Sequence, residues 1–241
     1  PMSLLPGSNI VNSYKLALFG GQTEYGSTIA PVAPMMAVSL ISALVIAIGK
    51  IAISLLSAFA IVYFRFPFRM FFFWAIFVTL MLPVEVRIGP TYEVVSDLGM
   101  LNSYAGLTVP LIASATATFL FRQFFLTVPD ELVEAARMDG AGFFGVLHKI
   151  LLPNSAPIIV VTVIWQFTNI WNEFLFGASF SDYTSFPMTV ALNNLVSSST
   201  GVKEYNVHFA GAFIAAIPTL VVYLVSGKYF VRGLMAGSVK G

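Results

Sequence analysis

Cysteine is absent from this chain, so disulfides and thiolate metal sites are excluded, and cysteine usage gives no redox compartment. Charge is scarce as well. Asp, Glu, Lys and Arg make up 10% of the 241 residues, where a soluble domain carries about a quarter. The formal net charge is only +1, which implies no polyanionic partner and no nucleic acid. No Gly-x-x-x-x-Gly-Lys-Ser/Thr stretch occurs, so the chain has no loop of that kind to cradle the phosphates of ATP. His148 and His208 stand far apart with no HExxH-type spacing, and they offer neither a metal site nor a cofactor site. No plausible nucleophile and base fall at one depth of the membrane, which leaves a membrane-embedded enzyme as the least supported class.

What the chain has is apolar surface. It is 58% hydrophobic, with 23 Phe and 9 Met, and its mean hydropathy is +0.87. Such a chain cannot cover itself in water, so its solvent is the bilayer. A spanning helix needs ~20 apolar residues, and five stretches qualify: 34–64, 68–84, 104–126, 156–180 and 209–230. Backbone groups in lipid must pair internally, so these are predicted helices, and none shows the alternation of a membrane barrel. The expected fold is an all-α, polytopic helical bundle. Residues 1–241 read as a single transmembrane domain with no internal repeat.

Orientation follows from the cations. Of the 12 Lys and Arg, eight fall on one set of loops: Arg65, Arg69, Arg122, Arg137, Lys149, Lys228, Arg232 and Lys240. Lys15, Arg87 and Lys203 fall on the opposite set, and Lys50 lies inside a span. The first set is therefore cytoplasmic, and residues 1–33 lie outside. An outside start at Pro1, without a signal peptide, leads to the expectation of six spans in the intact protein. The loop 181–208 is long and polar, with a short helix expected around 190–196.

Residues 127–153 form the most informative stretch. It is polar, it faces the cytoplasm, and it lies between two spans. Thr127 and Asp130 read as a capping box, with Asp in the Glu position, and Pro129 suits a first turn. Asp130, Glu131 and Glu134 complement the positive end of the helix dipole. Ala135 and Ala136 are strong helix formers that let another surface approach. Gly140 ends or bends the helix. Phe143, Phe144, Leu147 and Ile150 read as a second apolar stripe that Pro153 stops. The expected product is a short helix-turn-helix lying along the membrane surface.

The spacing Glu-Ala-Ala, three residues, Gly, nine residues, Ile-x-Leu-Pro resembles the coupling-loop signature of ATP-binding-cassette importer permeases. Glu134, Ala135, Ala136, Gly140, Ile150, Leu152 and Pro153 occupy its fixed positions, and Asp139 fits the Asp-Gly-Ala form. The run 119–125 (FLFRQFF), Trp171-Asn172-Glu173-Phe174 and the tail 232–241 are similar to the carbohydrate-uptake branch, of the maltose permease G-subunit kind. Residues 57–69, 79–88 and 114–125 look like glycerol-3-phosphate permeases. Residues 169–176, 190–206 and the tail look more like glucose/mannose or trehalose permeases.

The resemblance implies a type I importer permease in the cytoplasmic (inner) membrane of a prokaryote. It implies a second permease subunit, a dimer of ATPase subunits and an extracytoplasmic solute-binding protein as partners. Catalysis would belong to the ATPase. Glu134 would be the main polar contact to it, and Gly233, Gly237 and Lys240 of the tail would reach it from the C-terminus. A secondary transporter or channel is the competing class, but only Lys50 and Glu173 could serve as its charged relay.

Ionisable groups within spans cost several kcal/mol unless paired or hydrated. Lys50 can line a cavity or lock helices together by pairing. Gln166, Asn169, Trp171, Asn172 and Glu173 form the richest polar cluster, with Gln166, Asn169 and Glu173 spaced for one helix face. That face offers amides, a carboxylate and an aromatic to a sugar, or hydrogen bonds to a neighbouring helix. With Lys50 the only cation within a span, the reading favours a neutral sugar, glucose or mannose. The same machinery importing glycerol-3-phosphate is the alternative.

Overall fold

A computed structural model of the chain describes residues 9–23, 26, 28–79, 82–182, 187–196 and 205–238. Nearly all regular structure is helical. The helices are α1 (Ile10–Phe19), α2 (Val32–Tyr63), α3 (Arg69–Val78), α4 (Val84–Asp97), α5 (Tyr104–Thr108), α6 (Ala115–Phe125), α7 (Asp130–Met138), α8 (Phe143–Val146), α9 (Leu152–Trp171), α10 (Leu175–Phe180), α11 (Met188–Val196) and α12 (Tyr205–Ser238). Two short antiparallel strands, β1 (Gly21–Gln22) and β2 (Thr28–Ile29), pair Gly21 with Ile29 and Gln22 with Thr28.

Among the described residues, three helices are long and apolar enough to cross a bilayer: Val32–Tyr63, Phe143–Trp171 and Tyr205–Gly227. A pair bent by 44°, Tyr104–Leu111 and Ala115–Phe125, meets the same test only when its halves are taken together, as a broken span or a re-entrant loop. Sequence alone predicts five, and the second of these is not continuous. Helix α3 has 10 residues, about 15 Å, which is half the ~30 Å hydrocarbon core. Its end is marked by Thr79, whose hydroxyl donates to the Ile76 carbonyl at 2.6 Å. The third span breaks because Pro110 has no N–H for the helix ladder. Ser114 then starts a new helix, its Oγ accepting from the Ala117 N–H at 3.2 Å. At the tail, the backbone is helical through Ser238, so Gly233 and Gly237 lie in α12. Lys240 lies outside the described residues.

The chain forms two compact units. The first comprises Pro1–Leu44, Pro90–Thr108 and Thr168–Val222. Here the amide Nδ2 of Asn206 donates to Ser13 Oγ at 3.1 Å, and the Met188 N–H donates to Ser39 Oγ at 2.6 Å. The Phe176 and Phe180 rings stack at 3.9 Å. Helix α11 occupies the place where the sequence predicts a short helix.

The second unit comprises Val45–Gly89, Val109–Phe167 and Tyr223–Gly241. Its core joins Leu55, Ala58 and Phe59 of α2 to Ala117, Phe121 and Phe125 of α6, and to Val133, Val146, Leu147 and Leu151. Gly49 is required by close approach: a Cβ there would come within 2.9 Å of Ile112 Cγ2.

Candidate coupling site

Helix α7 is the first arm of an elbow. Pro129 precedes it, Asp130 and Glu131 fill its first turn, and Arg137 its last, all complementary to the helix dipole. No side chain caps its start. The predicted capping box is absent because Thr127 instead closes the preceding helix, donating to the Phe124 carbonyl at 2.7 Å. Val133 is the one buried residue of α7, and it ties the arm to the core of the second unit. Beneath it, the Tyr63 hydroxyl donates to the Phe125 carbonyl at 3.2 Å.

The turn after α7 is a Schellman motif. The Gly140 N–H donates to the Arg137 carbonyl at 3.0 Å and the Ala141 N–H to the Ala136 carbonyl at 2.9 Å. Ala136 and Ala141 flank this crossed pair of bonds, and both pack on the core. Gly140 has φ +80, and a Cβ there would touch nothing within 4 Å. The glycine is therefore demanded by its left-handed backbone, not by space. Gly140→Ala is expected to destabilise the elbow by about 1–2 kcal/mol. Gly142→Ala, at φ −70, is the matched control and should be neutral. A thermal-unfolding comparison of the two variants checks this.

The second arm departs from the sequence expectation in two ways. Pro153 does not stop the helix. Instead Phe143–Trp171 is one continuous helix of 29 residues. A π-helical turn, Leu147–Leu151, precedes the proline, and the Leu152 N–H bonds to the Leu147 carbonyl five residues back. That wider turn accommodates a ring that would clash in a regular α-turn. Asn154 Nδ2 also donates to the Ile150 carbonyl at 2.7 Å. The second departure is rotational. The buried set is Val146, Leu147 and Leu151, whereas Phe143 and Phe144 are exposed. One additional residue in the turn shifts the apolar stripe off the 3.6-residue period used to read it.

The outer face of the elbow carries Glu134, Ala135, Arg137 and Asp139, all exposed. Met138, 83% exposed, and Phe144, 71% exposed, stand among them. Ala136, expected on the knob, turns half inward, as do Ile150 and Leu152. Pro153 is exposed. Met138 was missed because a lone Met at a helix end carries no periodic signal. Exposed large apolar groups rimmed by charge are the composition of a docking surface.

The polar groups expected along the solute path divide by unit. In the second unit, Lys50 Nζ donates to Gln166 Oε1 at 3.0 Å, and Gln166 Nε2 donates to Ser114 Oγ at 3.3 Å. Ser54 Oγ donates to the Ser114 carbonyl at 3.1 Å. Lys50 thus joins α2 to α9 and, through Gln166, to the start of α6. In the first unit, Trp171 Nε1 donates to the Ala215 carbonyl at 3.0 Å. Asn169 and Asn172 are exposed. Glu173 does not share the helical face of Gln166 and Asn169, because α9 ends at Trp171. Its carboxylate instead accepts the Phe176 N–H at 3.1 Å, at the start of α10.

Residues 50–233 match the model of the binding-protein-dependent transport system inner membrane component family, and the chain belongs to that family. It is an inner-membrane protein and a permease of an ATP-binding-cassette importer, in the carbohydrate-uptake branch. Among its relatives are the sn-glycerol-3-phosphate transport system permease proteins UgpE of Brucella abortus and Agrobacterium fabrum, each 48% identical over 237 residues, 98% of this chain and 83% of theirs. The UgpE protein of Salmonella typhi is likewise 48% identical, over 240 residues. In fold, the chain is similar to a bacterial transporter for import of the acidic polysaccharide alginate, with TM-score 0.71 at 22% identity, over 82% of this chain and 74% of that one. A second structure, of an alginate transporter in complex with an alginate pentasaccharide-bound periplasmic protein, gives TM-score 0.61 at 16% identity, over 92% of this chain and 81% of that one.

Proposed function

We propose that this chain is the permease subunit of a glycerol-3-phosphate importer. The observation that carries the proposal is the 48% identity to UgpE permeases across 98% of the chain. The scarcity of cations within spans favours a neutral sugar on sequence alone, but hydroxyls, amides and one ammonium can together receive a phosphate group. The Lys50–Gln166–Ser114 cluster supplies all three kinds of donor. In the first unit, Asn169 and Asn172 are exposed and are separate candidates to line the path, whereas Trp171 is buried against the Ala215 carbonyl and Glu173 caps α10.

The energy must come from a partner, because the sequence lacks a phosphate loop. In this reading the whole chain works as one permease domain beside a second permease subunit. A dimer of ATPase subunits grips the elbow from the cytoplasm, and an extracytoplasmic binding protein delivers the solute. Glu134 supplies the main polar contact to the ATPase, Ala135 the close approach, and Met138 and Phe144 the apolar anchors. Asp139 and Gly140 shape the turn, while Ile150, Leu152 and Pro153 seat the second arm. Gly233, Gly237 and Lys240 extend the contact at the tail. Closure of the ATPase dimer then tilts the spans to alternate access.

The test is uptake of labelled glycerol-3-phosphate by cells carrying the assembled importer, with unlabelled competitors. Competition by glycerol-3-phosphate but not by glucose, mannose or trehalose is the expected result. Uptake that follows a neutral sugar instead would overturn the solute assignment.

A further inference from the structure

We propose that the corner between the start of α3 and the end of α6 binds the phosphate of an anionic phospholipid in the cytoplasmic leaflet. This rests on membership of the membrane and not on the identity of the solute. The Arg122 guanidinium lies 4.1 Å from the centroid of the Phe73 ring. Its Nε is buried and has no hydrogen-bond partner. Phe73 and Arg69 are four residues apart on α3, so Arg69 lies one turn away, on the same helix face, from the ring that Arg122 covers. Arg65 is exposed just before α3. None of the three arginines has a carboxylate partner among the described residues. Three cations with no carboxylate partner among the described residues call for a ligand that carries negative oxygens.

The surroundings specify lipid. Phe66, Phe68, Phe71, Phe72 and Trp74 are all exposed beside the arginines. Aromatic rings interleaved with arginine are what the headgroup boundary of a membrane takes. Phe68 adopts φ 60, ψ 18 at the cap of α3, a conformation bulky residues avoid, and its ring is 77% exposed. That backbone aims an apolar ring outward at the base of α3, as an anchor in the acyl boundary would require. The count of cations places this end of the spans on the cytoplasmic side, where anionic lipid is found.

The experiment is native mass spectrometry of the full chain in its assembled importer, purified in mild detergent and given equimolar phosphatidylglycerol and phosphatidylcholine. The wild type should retain phosphatidylglycerol in clear preference. Arg69→Gln with Arg122→Gln should reduce that retention roughly 10- to 30-fold, and Arg122→Lys should fall between, because it keeps the charge but loses the fork. Arg87→Gln, on the opposite side, should change nothing. If the double variant fails to fold, Arg122→Lys and the exposed Arg65→Gln still report. Equal retention of the two lipids, or retention unchanged in the arginine variants, overturns the proposal. So does loss of the second permease subunit from the Arg122→Gln complex with no change in bound lipid, which would mark the arginine as answering a protein carboxylate.

Discussion

Glu134→Lys is expected to abolish uptake while the protein still inserts in the membrane at wild-type level. Glu134 is exposed on the outer face of α7, so its substitution disturbs no core packing. Surface changes of this kind ordinarily alter stability by no more than about 0.5 kcal/mol. At an interface the arithmetic differs. Removing a charge that a partner has desolvated costs about 2–5 kcal/mol, and placing the opposite charge there adds repulsion. That amounts to a loss of at least about 30-fold in docking. The two measurements are solute uptake and the amount of ATPase subunit that co-purifies. Normal uptake by the variant would remove Glu134 from the docking role.

Val133→Asp, one position earlier, should be as damaging for the opposite reason. Val133 points inward and is 4% exposed, packed with residues of α2, α6 and the second arm. A carboxylate there has no partner and must either ionise at high cost or drag the helix into water. The expected outcome is an elbow that detaches from its bed. Tryptic cleavage at Arg137 should rise above wild type, and uptake should fall by at least tenfold. Val133→Ala removes only methyl groups and should cost about 1–2 kcal/mol, with uptake largely retained. If the Asp variant transported normally without added protease sensitivity, the buried seat of the elbow would have no part in coupling.

Several parts of the site could be read in the sequence because their physics is local. A glycine following a helix of acidic start and basic end marks a left-handed turn, and Gly140 is found at φ +80. Lys50 was visible as a candidate because an ionisable group in an apolar run is costly by itself. Its partner was not visible, since Gln166 lies 116 residues away and nothing local selects it. The second arm was misread at Pro153 because a π-turn leaves no compositional mark, yet it changes what a proline does. Glu173 was misread for a similar reason: the chain leaves α9 at Trp171, and a face counted by threes and fours ends where the helix does. Arg122 was legible as a cytoplasmic charge, but its seat over Phe73 depends on α3 and α6 coming together in space.

The wide turn at Leu147–Leu151 lets the helix run on past Pro153. It makes the grip and the crossing segment a single rod from Phe143 to Trp171, 29 residues long and therefore about 44 Å. A push on the elbow is handed straight to the membrane-crossing segment, because Phe143 and the residues after Pro153 belong to one helix.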